Sequence, residues 1–369
     1  MFLSPRGEPL SAPAKRAEIH TLNIVILIVG IISAVGAGWI VVSFILFRSV
    51  RTFRHQLILG LAISDFLMAV NFMSSSAVNI SGHIISEKPQ EKFCDFNGFM
   101  TQVFVVQTDY WVLLIAVCTF FIVANYKRQS QWVQEHRIIL WCLPWGFSIL
   151  WAALGMGLIG YGDIGAWCWF TSDKTRLLVN FIPRWLIIIA ILALYARLYL
   201  LIHKAHNRFH SFDHPSGSIE RTLEPEASSV SSTARIGKPA TIFSSTPTRD
   251  SESSPDADPP LRLMTHTRGP NPVLKKMAYQ MMMYPIVYMI IWTIPTAVRI
   301  YQAVTGKPAP FGIATVDKSC IVIQGFADAL IYGFNEASIS VWRAKFFPRR
   351  HANRANGGTA HSNSNHSRF

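Results

Sequence analysis

The sequence predicts an all-α fold, a bundle of seven transmembrane helices with the N-terminus outside and the C-terminus cytoplasmic. Three observations predict it. Half of the 369 residues are apolar and only 15% are charged, outside the usual balance of a soluble domain. Seven runs reach the roughly 20 apolar residues that carry a helix across a ~30 Å hydrocarbon core; they cover 21–47, 56–80, 98–124, 138–160, 177–202, 274–301 and 318–342. Lys and Arg concentrate at alternate ends of these runs, fifteen on one side against nine on the other, and the richer side is expected to be cytoplasmic. Runs this long suit helices rather than barrel strands, which alternate over about ten residues.

The elements follow in order. Residues 1–20 form a short outer N-terminus without the apolar core and small-residue cleavage site of a secretory signal, so the first helix of a multi-pass plasma-membrane protein is expected to act as its own insertion signal. Helices one to five occupy 21–202. The second ends at the sequon Asn79-Ile-Ser81, a glycosylation candidate on the outer side. Residues 203–272 are rich in Ser, Thr, Pro and acidic residues, as in "SSTPTRDSESSPDADPP", and are expected to form a disordered cytoplasmic loop. Helix five should extend into it through "LYARLYLLIHKAHNRFH", and Pro272 suits the first turn of helix six. Helices six and seven occupy 273–342. In the last stretch, 343–369, the basic residues Arg343 and Lys345 lie off a stripe of Ile339, Trp342 and Phe346 that reads as a short amphipathic helix ended by Pro348; a disordered tail follows.

The net charge of +13 then belongs mostly to the cytoplasmic face, with anionic lipids as the expected partner. No nucleic-acid partner is expected, since no soluble basic domain is present.

Cys118 and Cys142 lie within helices three and four, where a thiol is most often a small buried hydrophobe. Cys94, Cys168 and Cys320 all fall on the outer, oxidising side. A Cys94–Cys168 bridge ties a long loop to the top of a helix without turning a helix-wall residue outward; Cys320 stays open as the competitor. Trp167 and Trp169, either side of Cys168, would fill the interface at headgroup level.

Charged groups inside lipid are costly and usually face the bundle interior. Arg184 in "NFIPRWL" and Arg299 at the outer end of helix six, with Asp109 and Asp328 beneath them and Trp292 one turn from Pro295, are expected to line an outer ligand cavity. Asp65 in "LAISDFLMA", helped by Asn71 or Asn335, is expected to form a deeper switch. Pro285 and Pro295 each remove a backbone hydrogen bond from helix six, which makes that helix a candidate moving part. The same residues would also serve as structural hydrogen bonds and ion pairs, and sequence leaves both readings open.

Several chemistries are disfavoured. A retinal protein needs a Schiff-base lysine in the middle of helix seven, whereas Lys318 stands at its mouth. A zinc hydrolase needs converging imidazoles or carboxylates, whereas all twelve histidines fall in loops, tails or helix ends. No enzyme, metal or cofactor is expected. A transporter or channel for a small polar solute is the alternative, although no duplicated half with paired broken helices is visible.

The motifs "NFIPRW", "MMMYPIVYMIIWTIPTAVR", "QGFADALIYGFNE" and "WCWF", with the paired outer cysteines and the long fifth-to-sixth loop, resemble G-protein-coupled receptors. More narrowly, they resemble the fungal receptors related to slime-mould cAMP receptors and to fungal glucose and carbon-source sensors. "VANYKR" and "DALIYGFNE" depart from the helix-three and helix-seven motifs of rhodopsin-like receptors. The resemblance implies that an extracellular small molecule (nutrient, sugar or cAMP-like) shifts the bundle between populations, and that a heterotrimeric G protein and cAMP signalling follow. Lys127, Arg128, Lys204, Lys275 and Lys276 are then the candidate contacts to that G protein. The ligand itself is not named by the residues.

Overall fold

A computed structural model describes residues 12, 13, 15–48, 51–83, 85, 87–124, 126–210, 272–335 and 338–346. The chain divides into two compact units, 1–202 with 270–369, and 203–269. Of the second unit only the helical stretch 203–210 is described; the expected loop through 271 and the tail from 347 lie outside the described residues.

The first unit is a helical bundle. It contains α1 (Arg16–Leu46), α2 (Phe53–Ile80), α3 (Glu91–Val123), α4 (Lys127–Glu135) and α5 (Arg137–Leu158). A two-stranded hairpin follows, β1 (Gly162–Asp163) and β2 (Cys168–Trp169), then α6 (Asp173–Arg176), α7 (Ile182–His210, whose stretch from 203 belongs to the second unit), α8 (Pro272–Thr305), α9 (Phe311–Val322), α10 (Gln324–Asn335) and α11 (Ser338–Phe346). Among the described residues six helical stretches are long and apolar enough to cross a membrane, and α9 with α10 occupies most of the seventh apolar run. Ile28, Val35, Leu150, Leu158, Leu186 and Ile189 stay exposed. Apolar residues all round a helix suit lipid, where backbone groups must be satisfied within the helix.

The buried centre is α3, which touches α2, α4, α5, α8 and both strands. Its buried face is unusually polar, with Asn97, Thr101, Gln102, Gln107, Thr108 and Asp109 all enclosed. Small residues allow this close packing. A Cβ at Gly60 of α2 would lie 2.3 Å from the Trp111 ring, and one at Gly98 of α3 would lie 2.5 Å from Tyr161.

The hairpin closes one end of the bundle. Gly165, at φ +102°, turns the chain between the strands, and its N–H donates to Asp163 Oδ1 at 2.7 Å. Cys168 is bridged to Cys94 at the start of α3, and the Cys168 N–H donates to Asn97 Oδ1 at 2.9 Å. Cys320 is free, so the competing pairing does not occur. Trp167 and Trp169 are fully buried instead of lying in a headgroup layer, because the hairpin folds inward between the helices.

Pro272 opens α8, and α11 forms as its apolar spacing predicts. Trp342 reaches back to α1, donating to Ser43 Oγ at 2.8 Å and meeting the Phe47 ring edge-on; Pro348 lies outside the described residues. Two features depart from expectation. The short helix α4 stands where only a loop was predicted. The seventh span begins at Phe311, after Pro310, and breaks at Ile323 rather than running unbroken over 318–342. At the break Gly325 approaches α1 and α2, where an added Cβ would lie 2.9 Å from Ser33 Oγ and 3.1 Å from Asp65 Cβ.

Before α7, residues Leu177–Phe181 form one π-helical turn, in which the Ile182 N–H bonds Leu177 O. Such turns admit an extra residue into a helix and recur at functional sites.

Candidate functional site

The membrane-embedded charges gather into separate buried clusters. In the first, Arg184 of α7 is fully buried and grips Asp109 of α3 with both prongs, Nε to Oδ1 at 2.8 Å and Nη2 to Oδ2 at 3.1 Å. Arg184 Nε also donates to Tyr288 Oη at 2.9 Å, and the Tyr288 hydroxyl donates to Asp109. The guanidinium lies 3.3 Å from the centroid of the Trp292 ring, a cation–π contact that gains strength away from water. Trp292 Nε1 donates to Gln324 Oε1 at 3.2 Å, beside the α9/α10 break. One chain of contacts therefore joins α7, α3, α8 and α10. The guanidinium is thus a core group, not one that snorkels to the surface.

The second cluster lies beneath the hairpin. Arg299 is enclosed within α8, not exposed as an end cap. It donates to Asp317 of α9 at 2.9 Å, to Gln302 at 2.7 Å and to Asp173 of α6 at 3.3 Å. Arg176 also pairs with Asp173. Lys318 donates to Ile164 O in the hairpin at 2.7 Å.

Asp328 corrects the expected arrangement. It is not paired with Arg184 or Arg299 but is the electrostatic neighbour of Asp65 of α2, whose two carboxyl oxygens are buried without a hydrogen-bond partner. Depth along a helix sets only height; the rotation of α10 points Asp328 toward α2. Neither Asn71 nor Asn335 joins Asp65. Asn71 bonds Asn97 and Thr101 of α3, whereas Asn335 exchanges bonds with Gln280 of α8, which also takes Arg54 Nη1 of α2 at 3.0 Å. This clasp ties α2, α8 and α10 at the end away from the hairpin. Arg184, Arg299, Asp109 and Asp328, expected to line an outer cavity, are all buried. Pro295 sits inside an unbroken α8.

Asn79 is occupied: its Nδ2 donates to Asn23 Oδ1 at 3.1 Å and its Oδ1 accepts from Ile85 N–H at 3.2 Å. A glycan on that nitrogen leaves it a single N–H, the one needed for the first of these bonds. Arg128 and Lys276 are exposed; the side chains of Lys127, Lys204 and Lys275 lie outside the described residues. Among the described residues no group of three or more His, Cys, Asp or Glu is placed to hold a metal.

Sequence reasoning missed Tyr288, Asp317, Arg176, Asp173, Gln280 and Gln324. One signal was available: Tyr284, Tyr288 and Trp292 recur every four residues, and all three are fully buried.

The family described as "G protein-coupled glucose receptor regulating Gpa2" matches residues 18–209, and its C-terminal counterpart matches 271–344. The protein named Ascaroside receptor GPR2, from Arthrobotrys oligospora, is 42% identical over 93% of this chain and 94% of its own length. Cyclic AMP receptor-like protein A of Dictyostelium discoideum is 26% identical over 46% of this chain and 42% of its own. Squid rhodopsin, at 14% identity, superposes with a TM-score of 0.59 over 94% of this chain and 90% of its own, a likeness of fold. With the family match spanning both halves of the bundle and a relative this similar over nearly its whole length, the chain belongs to the Git3 family of G-protein-coupled glucose receptors.

Proposed function

We propose that this receptor faces outward with its hairpin end, takes a small polar ligand there, and signals at the plasma membrane through a heterotrimeric G protein bound at the opposite end. The observation that carries this reading is the Arg184 hub. It joins α7, α3, α8 and α10 through one guanidinium, so a displacement of any one of them strains the rest. Packed cores of this kind have discrete alternatives rather than a continuum. The Arg54–Gln280–Asn335 clasp is the contact that has to part when the inner foot of α8 moves. The excess of basic residues at that end supports a cytoplasmic position, and Lys127, Arg128, Lys204, Lys275 and Lys276 are the proposed contact surface. In this reading Asp109, Arg184 and Trp292 transmit the signal, and Arg299 belongs to the ligand end.

The relatives differ in the ligand their names carry, ascaroside in one and cyclic AMP in another, so ligand identity is settled by assay. Purified receptor in nanodiscs with a G protein heterotrimer is challenged with sugars, sugar acids and phosphates, cyclic nucleotides and glycolipids, and guanine-nucleotide exchange is recorded. An agonist that accelerates exchange, and loses that effect in Trp292→Ala, supports the hub. Solute uptake into vesicles without a G protein, with no agonist anywhere in the panel, supports a transporter instead.

A further inference from the structure

Beneath the hairpin three cations, Arg176, Arg299 and Lys318, are enclosed with side chains at most 2% exposed. The carboxylates bonded to the two arginines are Asp173 and Asp317. Asp163, in the hairpin, accepts the Gly165 N–H on its Oδ1. Asp173 serves both arginines, and Asp317 bonds Arg299. Arg176 Nε and Nη1 and Arg299 Nε are left buried with no acceptor, and of the two aspartates' oxygens Asp317 Oδ1 is also without a partner. A buried charged donor without a partner is costly, and this cluster leaves three of them where the hub leaves Arg184 Nη1. Arg176 also lies 6.0 Å from the Trp169 ring. Trp169 Nε1 donates to Gln102 Oε1 at 2.7 Å, and Gln102 Nε2 donates to Asn180 Oδ1 at 2.8 Å. Asn180 Nδ2 and Trp167 Nε1 are further buried donors without acceptors.

We infer that Arg176, Arg299 and Lys318 form an oxyanion site, and that the receptor's ligand is a polar molecule held by a carboxylate or phosphate group. The inference rests on the proposed outward position of the hairpin. The unfilled guanidinium N–H groups are charged donors suited to the oxygens of either anion, one bond from each edge, since Arg176 Nε and Nη1 lie on different edges of the guanidinium. The amide and indole donors alongside suit hydroxyls on the body of the same molecule. Lys318 holds the Ile164 carbonyl of the hairpin, so an anion that draws the ammonium away releases the lid from beneath.

The test uses full-length receptor purified in detergent, with thermal unfolding recorded against D-gluconate, D-glucose 6-phosphate, D-glucose and chloride at matched ionic strength. At least one of the two oxyanion probes is expected to raise the midpoint saturably at millimolar concentration, and the one that does so distinguishes carboxylate from phosphate. Glucose and chloride should not. Arg176→Gln is expected to weaken that probe by roughly tenfold or more, with the exposed Lys307→Gln as the unaffected control. Mass spectrometry of the intact Cys94–Cys168 bridge checks that the variant is folded. Equal stabilisation by glucose, no response to either oxyanion, or an unchanged response in folded Arg176→Gln overturns the inference. Because this readout contains no G protein, oxyanion binding without nucleotide exchange counts against the proposed function and leaves the site standing. Exchange driven by a neutral ligand, undiminished in Arg176→Gln, sinks the site alone.

Discussion

Removing Asp109 tests the hub most directly. Asp109→Leu takes away both acceptors of the Arg184 fork and the acceptor of the Tyr288 hydroxyl, leaving a guanidinium in a fully buried place. Breaking a buried ion pair from one side costs about 3–5 kcal/mol, a large part of the ~5–15 kcal/mol that holds a typical protein folded. Arg184→Met leaves the carboxylate with Tyr288 alone and should cost about the same. In the double variant no buried charge remains at the hub. The residual loss is then the stranded Tyr288 hydroxyl and imperfect packing, about 1–3 kcal/mol. The double variant should therefore be more stable than either single one. Unfolding is followed in detergent by the reactivity of buried Cys118, in a background where the more accessible Cys142 and Cys320 are Ser. If the double variant falls below both singles, with losses that add, the two residues do not act as a pair and the hub is refuted.

Three further outcomes are expected. Cys168→Ser opens a bridge between residues 74 apart in sequence and should cost about 2–5 kcal/mol, whereas Cys320→Ser should change neither stability nor the non-reduced peptide map. Gly60→Ala drives a methyl into the Trp111 ring and should cost about 1–3 kcal/mol; Gly146→Ala, where a Cβ meets open space, is the control for the thermal midpoint. Gln280→Leu cuts the ties to Arg54 and Asn335, and a bias of ~1 kcal/mol toward the active state should raise ligand-free nucleotide exchange about fivefold; unchanged basal exchange removes the clasp from the mechanism.

Uninterrupted apolar runs made six spans readable, because lipid asks only for length and hydropathy and not for a face. Pro272, the α11 stripe and the Cys94–Cys168 bridge were readable for local reasons: a missing N–H, a helical spacing and a shared end. The break at Ile323 was not, since nothing in "SCIVIQGFAD" interrupts hydropathy and the cause is a close approach of α10 to two other helices. Partner choice was equally hidden. Asp109 and Asp328 are both carboxylates within spans, yet one meets Arg184 and the other Asp65, because rotation about each helix axis is set by packing. Arg176 was overlooked as a flank residue, although the fold encloses it completely.

That enclosure depends on the single π-helical turn at Leu177–Phe181. Deleting one residue there restores an ordinary helical repeat. Arg184 keeps its grip on Asp109, while everything ahead of the turn rotates by about 100°. Arg176 and Asp173 then swing off the bundle axis, and Arg299 is left with Asp317 as its sole carboxylate. The length of this one turn acts as a phase setting between the ligand end and the signalling core. Counting residues from the β2 cysteine to the hub arginine, sixteen steps from Cys168 to Arg184, thus sorts related receptors by whether both clusters can be in register, before any side chain is compared.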